Sequence, residues 1–424
     1  MKTLKLQLKT EEQKSLINKF SLTAAVFFAG IAGYAYFAFL PMFLESKGFS
    51  VGEITFTMTW MGVGMAFFSW IFGRLSDKTG RRKLLFISAI FAQIIIFLML
   101  NLSDLIFYHC ILNFVRGSLL GMRMPASNAL FADIVEKANK RKEINLNLET
   151  VEVSGVQLSL LSAVKSTGWS IGVLGSSFVI SSFGINSLVL FLIISTTFSF
   201  VFAIPVRDIK KDNILPEDSK ISNTKVEIES QNLITGVEET KRKRAKVKTL
   251  LFITVFFRQF GLIAFLQILS IIIRDAGFSI GTAGLIIALN PILQIVAMLI
   301  NGRIVDNPKI SEKIMMAIGF ILSALTLFCY AGGANTGNIL FFILGQICLG
   351  FAWGCIYTGA VKYIINRAPM DRAFYMGVWI TDLQIAKIIS YQAFAFLWII
   401  FSYTSVLPFA AIFPLIGLIL VYWL

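Results

Sequence analysis

The chain has 424 residues, 56% of them hydrophobic and only 15% charged, with 40 Phe, a mean hydropathy of +0.77 and a formal charge of +14. A soluble globular domain carries about 25% charged residues, so this composition excludes a soluble protein and calls for a bilayer. About 20 apolar residues cross roughly 30 Å of hydrocarbon as a helix, and stretches of that length recur along the whole chain.

Residues 1–20, "MKTLKLQLKTEEQKSLINKF", are charged and amphipathic and predict a cytoplasmic N-terminal segment. The apolar run that follows is too long for the core of a cleavable signal peptide. Twelve apolar segments then begin near Ser21, Glu53, Leu84, Asp104, Ser159, Ile185, Thr249, Gly281, Lys313, Asn338, Phe374 and Thr404. They predict an all-α integral membrane protein with twelve transmembrane helices in two pseudo-symmetric six-helix bundles, residues 21–205 and 249–424. Residues 206–248 are polar, charged and poor in aromatics, and read as a cytoplasmic linker with little fixed structure. The stretch 136–158 reads as a long connection between segments four and five that could dock a partner. Cys110, Cys329, Cys348 and Cys355 all fall inside apolar segments, with no CxxC pair, and read as small apolar fillers.

The placement of charge argues against nucleic acid. Five Lys precede the first segment, five Lys or Arg occupy 74–83, and "KRKRAKVK" precedes the seventh. Every second connection is basic, whereas the alternate ones hold only Lys47 and Arg274. Cytoplasmic loops carry the Lys and Arg excess, so both termini are expected in the cytoplasm of a multi-pass cell-membrane protein. The charge then records topology and contact with anionic lipid.

The sequence also repeats. "GFSVGEI" at Gly48 returns as "GFSIGTA" at Gly277, and "GRLSD" at Gly73 as "GRIVD" at Gly302; Gly121 and Gly350 keep the same offset of 229 residues. Internal duplication in a helical membrane protein is the mark of alternating-access transporters, whose substrate sits near the midplane between the repeats.

The stretch "GRLSDKTGRRK" lies between segments two and three. Gly73, Leu75, Asp77, Lys78, Gly80, Arg81 and Arg82 fill the pattern G-x-L-x-D-R-x-G-R-[RK], and a degraded copy (Gly302, Arg303, Asp306) follows segment eight. In these residues the chain resembles the major facilitator superfamily, as it does in "MPASNALFADIV" (124–135) and the glycine-rich "STGWSIGVLGSSF" (166–178). The resemblance implies the fold of that superfamily and a gating role for the motif. Independently, Gly73 and Gly80 permit close approach and a tight turn, and Asp77 can face the positive end of a helix. Arg81 is expected to pair with Asp133 at the same depth. Such a latch would hold the cytoplasmic side shut.

Embedded polar residues are costly and mark function. His109, Asn113 and Arg116 are spaced i, i+4, i+7, as are Gln346, Gly350 and Trp353, with Tyr357 continuing the second stripe. The resemblance implies that segments one, four, seven and ten line the cavity, which adds Tyr34 as a wall residue. Arg258 shares a helix face with Thr254 but not with Gln259. Asp382 and Lys387, on segment eleven, stand about 140° apart around their helix and so do not simply pair. Segment one has no central acid, Glu45 lying at its outer end, and Asp382 is the candidate proton carrier.

No HExxH, GxxxxGK[ST] or GxSxG motif is present, so neither an enzyme nor ATP-driven transport is expected, and no cofactor or metal. The expectation is a monomeric secondary active transporter of a small organic solute, proton-coupled and working by alternating access. Arg116, Arg258 and Lys387 outnumber Asp382 and favour an organic anion. The alternatives are a multidrug efflux antiporter, against which Val173 stands where such members carry Pro after Gly172, and a non-transporting sensor or scaffold of the same fold.

Overall fold

The structure is a computed structural model describing residues 2–146, 155–208, 247–305, 311–367 and 372–424. Within these residues the elements are fourteen helices and no strand. The first repeat holds α1 (Lys2–Ser46), α2 (Val51–Thr79), α3 (Arg82–Met99), α4 (Ile106–Leu146), α5 (Gly155–Phe183) and α6 (Ser187–Ala203). The second holds α7 (Leu250–Gln267), α8 (Leu269–Asp275), α9 (Ile280–Val305), α10 (Glu312–Thr336), α11 (Ile339–Arg367), α12 (Arg372–Ile400), α13 (Tyr403–Ala410) and α14 (Ile412–Tyr422). Ile268 alone interrupts α7–α8 and Ala411 alone interrupts α13–α14. With each pair taken as one element, the described residues hold twelve helical elements.

Among the described residues eight spans are long and apolar enough to cross by length and composition alone, the first being Leu16–Ser46 and the last Tyr403–Tyr422. In α4 the embedded His109, Arg116 and Arg123 dilute the apolar character, and packing against α2 and α3 holds it among the others. The first helix runs unbroken through residue 20, so the N-terminal segment and the first crossing are one element. The 136–158 stretch is mostly not a loop: α4 continues to Leu146 and α5 begins at Gly155. Helical hydrogen bonding continues there because nothing in "EKANKRKEINL" breaks it. Most of the expected linker, 209–246, lies outside the described residues.

Within the first bundle α2 packs on α4, and α1 on α5 and α6; within the second, α11 packs on α9 and α10, and α7 on α12 and α14. Small residues permit this closeness. A Cβ on Gly117 of α4 would run into the Met61 backbone of α2, and one on Gly172 of α5 into the Ile31 backbone of α1. Without a hydrophobic driving force between helices in lipid, such backbone approach is a main source of attraction.

Two helix pairs join the bundles, α5 with α9 and α2 with α12, and α1 touches α8. The chain ends share one face with Thr79, Leu146 and Val305, here the terminal face; the 47–50, 100–105 and 276–279 turns lie on the far face.

Candidate functional site

The far face is closed. Arg274, at the end of α8, grips Glu45 of α1 through both guanidinium NH2 groups, one of them at 2.8 Å, and also meets Asp275 at 2.6 Å. Tyr403 donates its hydroxyl proton to Asp275 at 2.5 Å. Deeper along the same seam, the Gln267 amide donates to the Phe37 carbonyl at 2.9 Å and the Ser270 hydroxyl to the Ala38 carbonyl at 2.7 Å. The Gln392 amide of α12 donates to the Thr59 hydroxyl of α2 at 2.7 Å. Beneath this seam Tyr34, Asn290 and Gln346 line a void of only about 10 Å³, room for about one water. Outside it Lys47 meets Asp104 at 2.5 Å, and that hydrogen bond and charge hold the Asp104 carboxyl below the usual carboxylate range.

The motif on the terminal face is built on a turn. Gly80 has φ +65°, a left-handed conformation that ends α2 and that L side chains adopt only with strain. Gly73 and Asp77 lie within the last two turns of α2. Asp133 pairs with Arg82, not with the expected Arg81. The reason is local: Arg81 is the non-helical residue before α3 and is exposed, whereas Arg82 is the first helical residue and is directed at α4, where it also donates to the Ala129 carbonyl at 3.2 Å. The next residue, Lys83, ties α3 to the end of the bundle, its backbone NH donating to Asp208 and its ammonium to the Ile204 carbonyl, both at 2.7 Å. In the second repeat Gly302 and an exposed Arg303 fall in the last turn of α9, and Asp306 lies outside the described residues.

Inside the bundles the polar residues separate into two groups. Arg116 is 2% exposed. Its guanidinium lies 3.7 Å from the Tyr36 ring centre and donates to the Met61 sulfur at 2.7 Å, while its Nε has no partner. Tyr36 in turn donates to Asn113 at 2.9 Å, and Asn113 donates to the His109 carbonyl at 3.0 Å. Lys387 of α12, also buried, reaches the rings of Phe37 and Tyr391 and lies within electrostatic range of Arg116. Through Phe37, Lys387 reaches α1 of the opposite bundle.

The second group belongs to the C-terminal bundle. Arg258 donates to Ser323 and to Gln259, each at 3.1 Å, and lies 5.2 Å from the Trp353 ring. The contact with Gln259, not expected from helix geometry, exists because a long guanidinium arm reaches around the helix to a neighbour that is itself flexible. Trp353 stacks on Tyr357 with centroids 6.0 Å apart. Asp382 is half-buried, and one of its carboxylate oxygens has no hydrogen-bond partner. Its five-residue offset from Lys387 turns it about 140° away around α12.

Two cations escaped the reading of the sequence. Arg123 follows Arg116 by seven residues, two helical turns down the same face, and donates to Gln93 at 2.9 Å. That spacing was a usable signal. Lys165 of α5 donates to Asn128 of α4 at 3.0 Å, and only the fold brings it there. Among the described residues no His, Cys, Asp or Glu cluster could hold a metal, and the four Cys are free.

Comparison with known proteins agrees with this architecture. Over 338 residues the chain is 25% identical to the multi-drug resistance efflux pump PmrA of Streptococcus pneumoniae, covering 78% of this chain and 76% of that one. It is 24% identical over 360 residues to multidrug resistance protein 2 of Bacillus subtilis, with coverage of 82% and 80%. Among solved structures it is similar to the nucleoside transporter NupG (TM-score 0.68, 12% identity, 96% of this chain and 97% of that one). It is also similar to the POT family transporter PepTSo (TM-score 0.70, 12% identity, 96% and 97%). The sequence model of the Major Facilitator Superfamily matches residues 22–249 and 251–424, nearly the whole described fold, and the chain therefore belongs to that superfamily: it is a multi-pass membrane transporter and not an enzyme.

Proposed function

We propose that the chain moves a small organic anion across the cell membrane by proton-coupled alternating access, with its terminal face in the cytoplasm. The observation that carries the reading is a pair of buried cations within electrostatic range, Arg116 and Lys387, one from each bundle, neither ion-paired with an Asp or Glu among the described residues. Removing a charge from water costs several kcal/mol unless a partner offsets it. A substrate carboxylate or phosphate can be that partner, through charge-assisted hydrogen bonds to the guanidinium. Because the two cations belong to different bundles, an anion bound between them would couple binding to rocking of the halves.

The hydrogen bonds and ion pair that close the far face, from α1 to α8 and from α2 to α12, support an inward-facing state. The excess of Lys and Arg on the terminal face supports that orientation. Asp382, half-buried and with an unpartnered oxygen, is the group we assign to proton movement. One chain contains both bundles, so a monomer suffices.

A second reading, proton-driven export of drugs, is favoured by the names of the curated relatives, which are multidrug efflux pumps. The apolar and aromatic surroundings of Tyr34, Trp169 and Phe37, stacked with centroids 5.3 and 5.6 Å apart, suit flat lipophilic compounds. Flux in proteoliposomes under an imposed pH gradient separates the two, using a panel of anions, cations and neutral solutes on wild type and Arg116→Gln. Anion flux lost in Arg116→Gln is the expected result. Cation flux that survives Arg116→Gln, with no anion moved, replaces the first reading by the second.

A further inference from the structure

A polar cluster beneath the far-face seam is left without partners. Gln346 of α11 is 1% exposed, and neither its Nε2 nor its Oε1 has a hydrogen-bond partner. The Oδ1 of Asn290, on α9, is buried and unpartnered as well. A buried polar atom left unpaired costs free energy, so native structures hold few of them. Here three fall on two residues that line the same void of about 10 Å³.

The void lies where the bundles meet. Tyr34 and Phe37 wall it from α1, Leu266 and Leu269 from α7 and α8, and the two amides from α9 and α11. A Cβ on Gly350, one turn beyond Gln346, would come within 3.2 Å of the Asn290 carbonyl oxygen, so α9 and α11 are packed closely at this level. Leu266 and Leu269 adjoin Gln267 and Ser270 in the chain, whose hydrogen bonds to the Phe37 and Ala38 carbonyls close the seam. Tyr34 and Phe37 are only half-buried, and their rings stack with centroids 5.6 Å apart, which gives the void an aromatic wall.

We propose that Gln346 and Asn290 form a subsite for an uncharged primary carboxamide, carried on a flat ring that lies against Tyr34 and Phe37. Two unpaired acceptor atoms and one unpaired donor atom call for a group that donates twice and accepts once. A primary carboxamide does so, with two N–H groups and one carbonyl oxygen. A carboxylate brings no donor and sets its charge against two oxygens; a hydroxyl brings a single donor. The void has room for about one water, and a water offers the same inventory. A solute head therefore takes that place without loss only if it reproduces those hydrogen bonds. The head is neutral, so the inference does not lean on Arg116 and Lys387.

The test uses the full-length protein in lipid nanodiscs with benzamide, acetophenone and benzoate as probes. Acetophenone has the shape of benzamide with a methyl group in place of the NH2, and benzoate carries a second oxygen and a charge there. Benzamide should bind about tenfold tighter than acetophenone, which leaves buried acceptors unpaired. Gln346→Met, which keeps the volume, should bring that ratio close to one. It should not lower the thermal midpoint of the ligand-free protein, because the amide it removes has no partner in the fold. Tyr330→Phe removes another buried, unpartnered hydroxyl and should leave the ratio unchanged. Equal affinities for benzamide and acetophenone in the wild type, or no binding of benzamide, overturn the subsite; that comparison needs no variant, so a misfolded mutant does not blunt it. A preference that survives Gln346→Met overturns it too. So does a midpoint lowered alike by Gln346→Met and Tyr330→Phe, which would show that the two side chains pair with each other. Benzoate bound without benzamide leaves the anion reading intact and removes this one; benzamide bound without benzoate does the reverse.

Discussion

Glu45 and Arg274 are counterparts: they stand 229 residues apart, the offset that relates the two repeats, and they form a bidentate ion pair. Each occupies the same place in its own half. A pseudo-twofold axis between the bundles brings such equivalent positions face to face, and the substitution of an acid in one copy and a base in the other makes the contact attractive. The pair is partly exposed, with side-chain accessibilities of 35% for Arg274 and 28% for Glu45, so its strength is that of a surface ion pair, not of a buried one.

Breaking this pair should favour opening of the far face. Glu45→Gln or Arg274→Gln is expected to raise the population open on that side by about fivefold, on the order of 1 kcal/mol. Distances between spin labels on the 47–50 and 276–279 turns read the change. Unaltered distance distributions in both variants would mean that Gln267, Ser270 and Gln392 close the seam by themselves.

At the terminal face the two neighbouring arginines should differ. Arg82→Ala is expected to lower transport by about tenfold or more, because it leaves the half-buried Asp133 carboxylate without this guanidinium, and Asp133→Ala to lower it as well, because it removes the ion pair that ties α3 to α4. Arg81→Ala should have a much smaller effect, its side chain being exposed. Initial flux rates at matched expression check this. Equal losses for Arg81→Ala and Arg82→Ala would show that the motif acts through charge density and not through the Asp133 contact.

Asp382→Asn should uncouple transport from protons. Counterflow under equal pH on both sides should persist, while accumulation driven by a pH gradient disappears. Accumulation that survives the substitution assigns the proton to another group.

Packing of α2 on α4 depends on Gly117, whose missing side chain lets the Met61 backbone approach. Gly117→Leu should therefore abolish the folded monomer on size exclusion, whereas Gly73→Leu, where a Cβ would meet open space, should leave folding intact and affect transport alone.

Reporter tags at the N-terminus, within 206–247 and at the C-terminus should all report cytoplasm, and a tag after Ser103 should report the exterior. The opposite result at Ser103 would invert the orientation and place the Arg82–Asp133 contact outside the cell.

The crossings, the duplication and the superfamily were legible in the amino-acid order, since each rests on a local property. Apolar length decides whether a segment spans; a constant offset decides that there are two copies; and the Gly73–Arg82 motif sits on one turn whose left-handed Gly80 only glycine adopts freely. The stripe of Asn113 and Arg116 was equally legible, because 3.6 residues per turn place them on one face, and extending it by two turns reaches Arg123. Meetings between helices needed the folded chain. Lys165 reaches Asn128, Lys387 reaches Phe37 and Arg82 takes Asp133 in place of Arg81. Arg258 turns instead to Ser323 and Trp353 in its own bundle. Both Glu45 and Arg274 stood out in the sequence, one at the outer end of the first segment and the other as one of only two basic residues in that set of turns. Their pairing still required the axis between the bundles. Helical periodicity sets which face a residue occupies, but the neighbour opposite that face depends on how the helices rotate and pack, and no spacing along one helix encodes that.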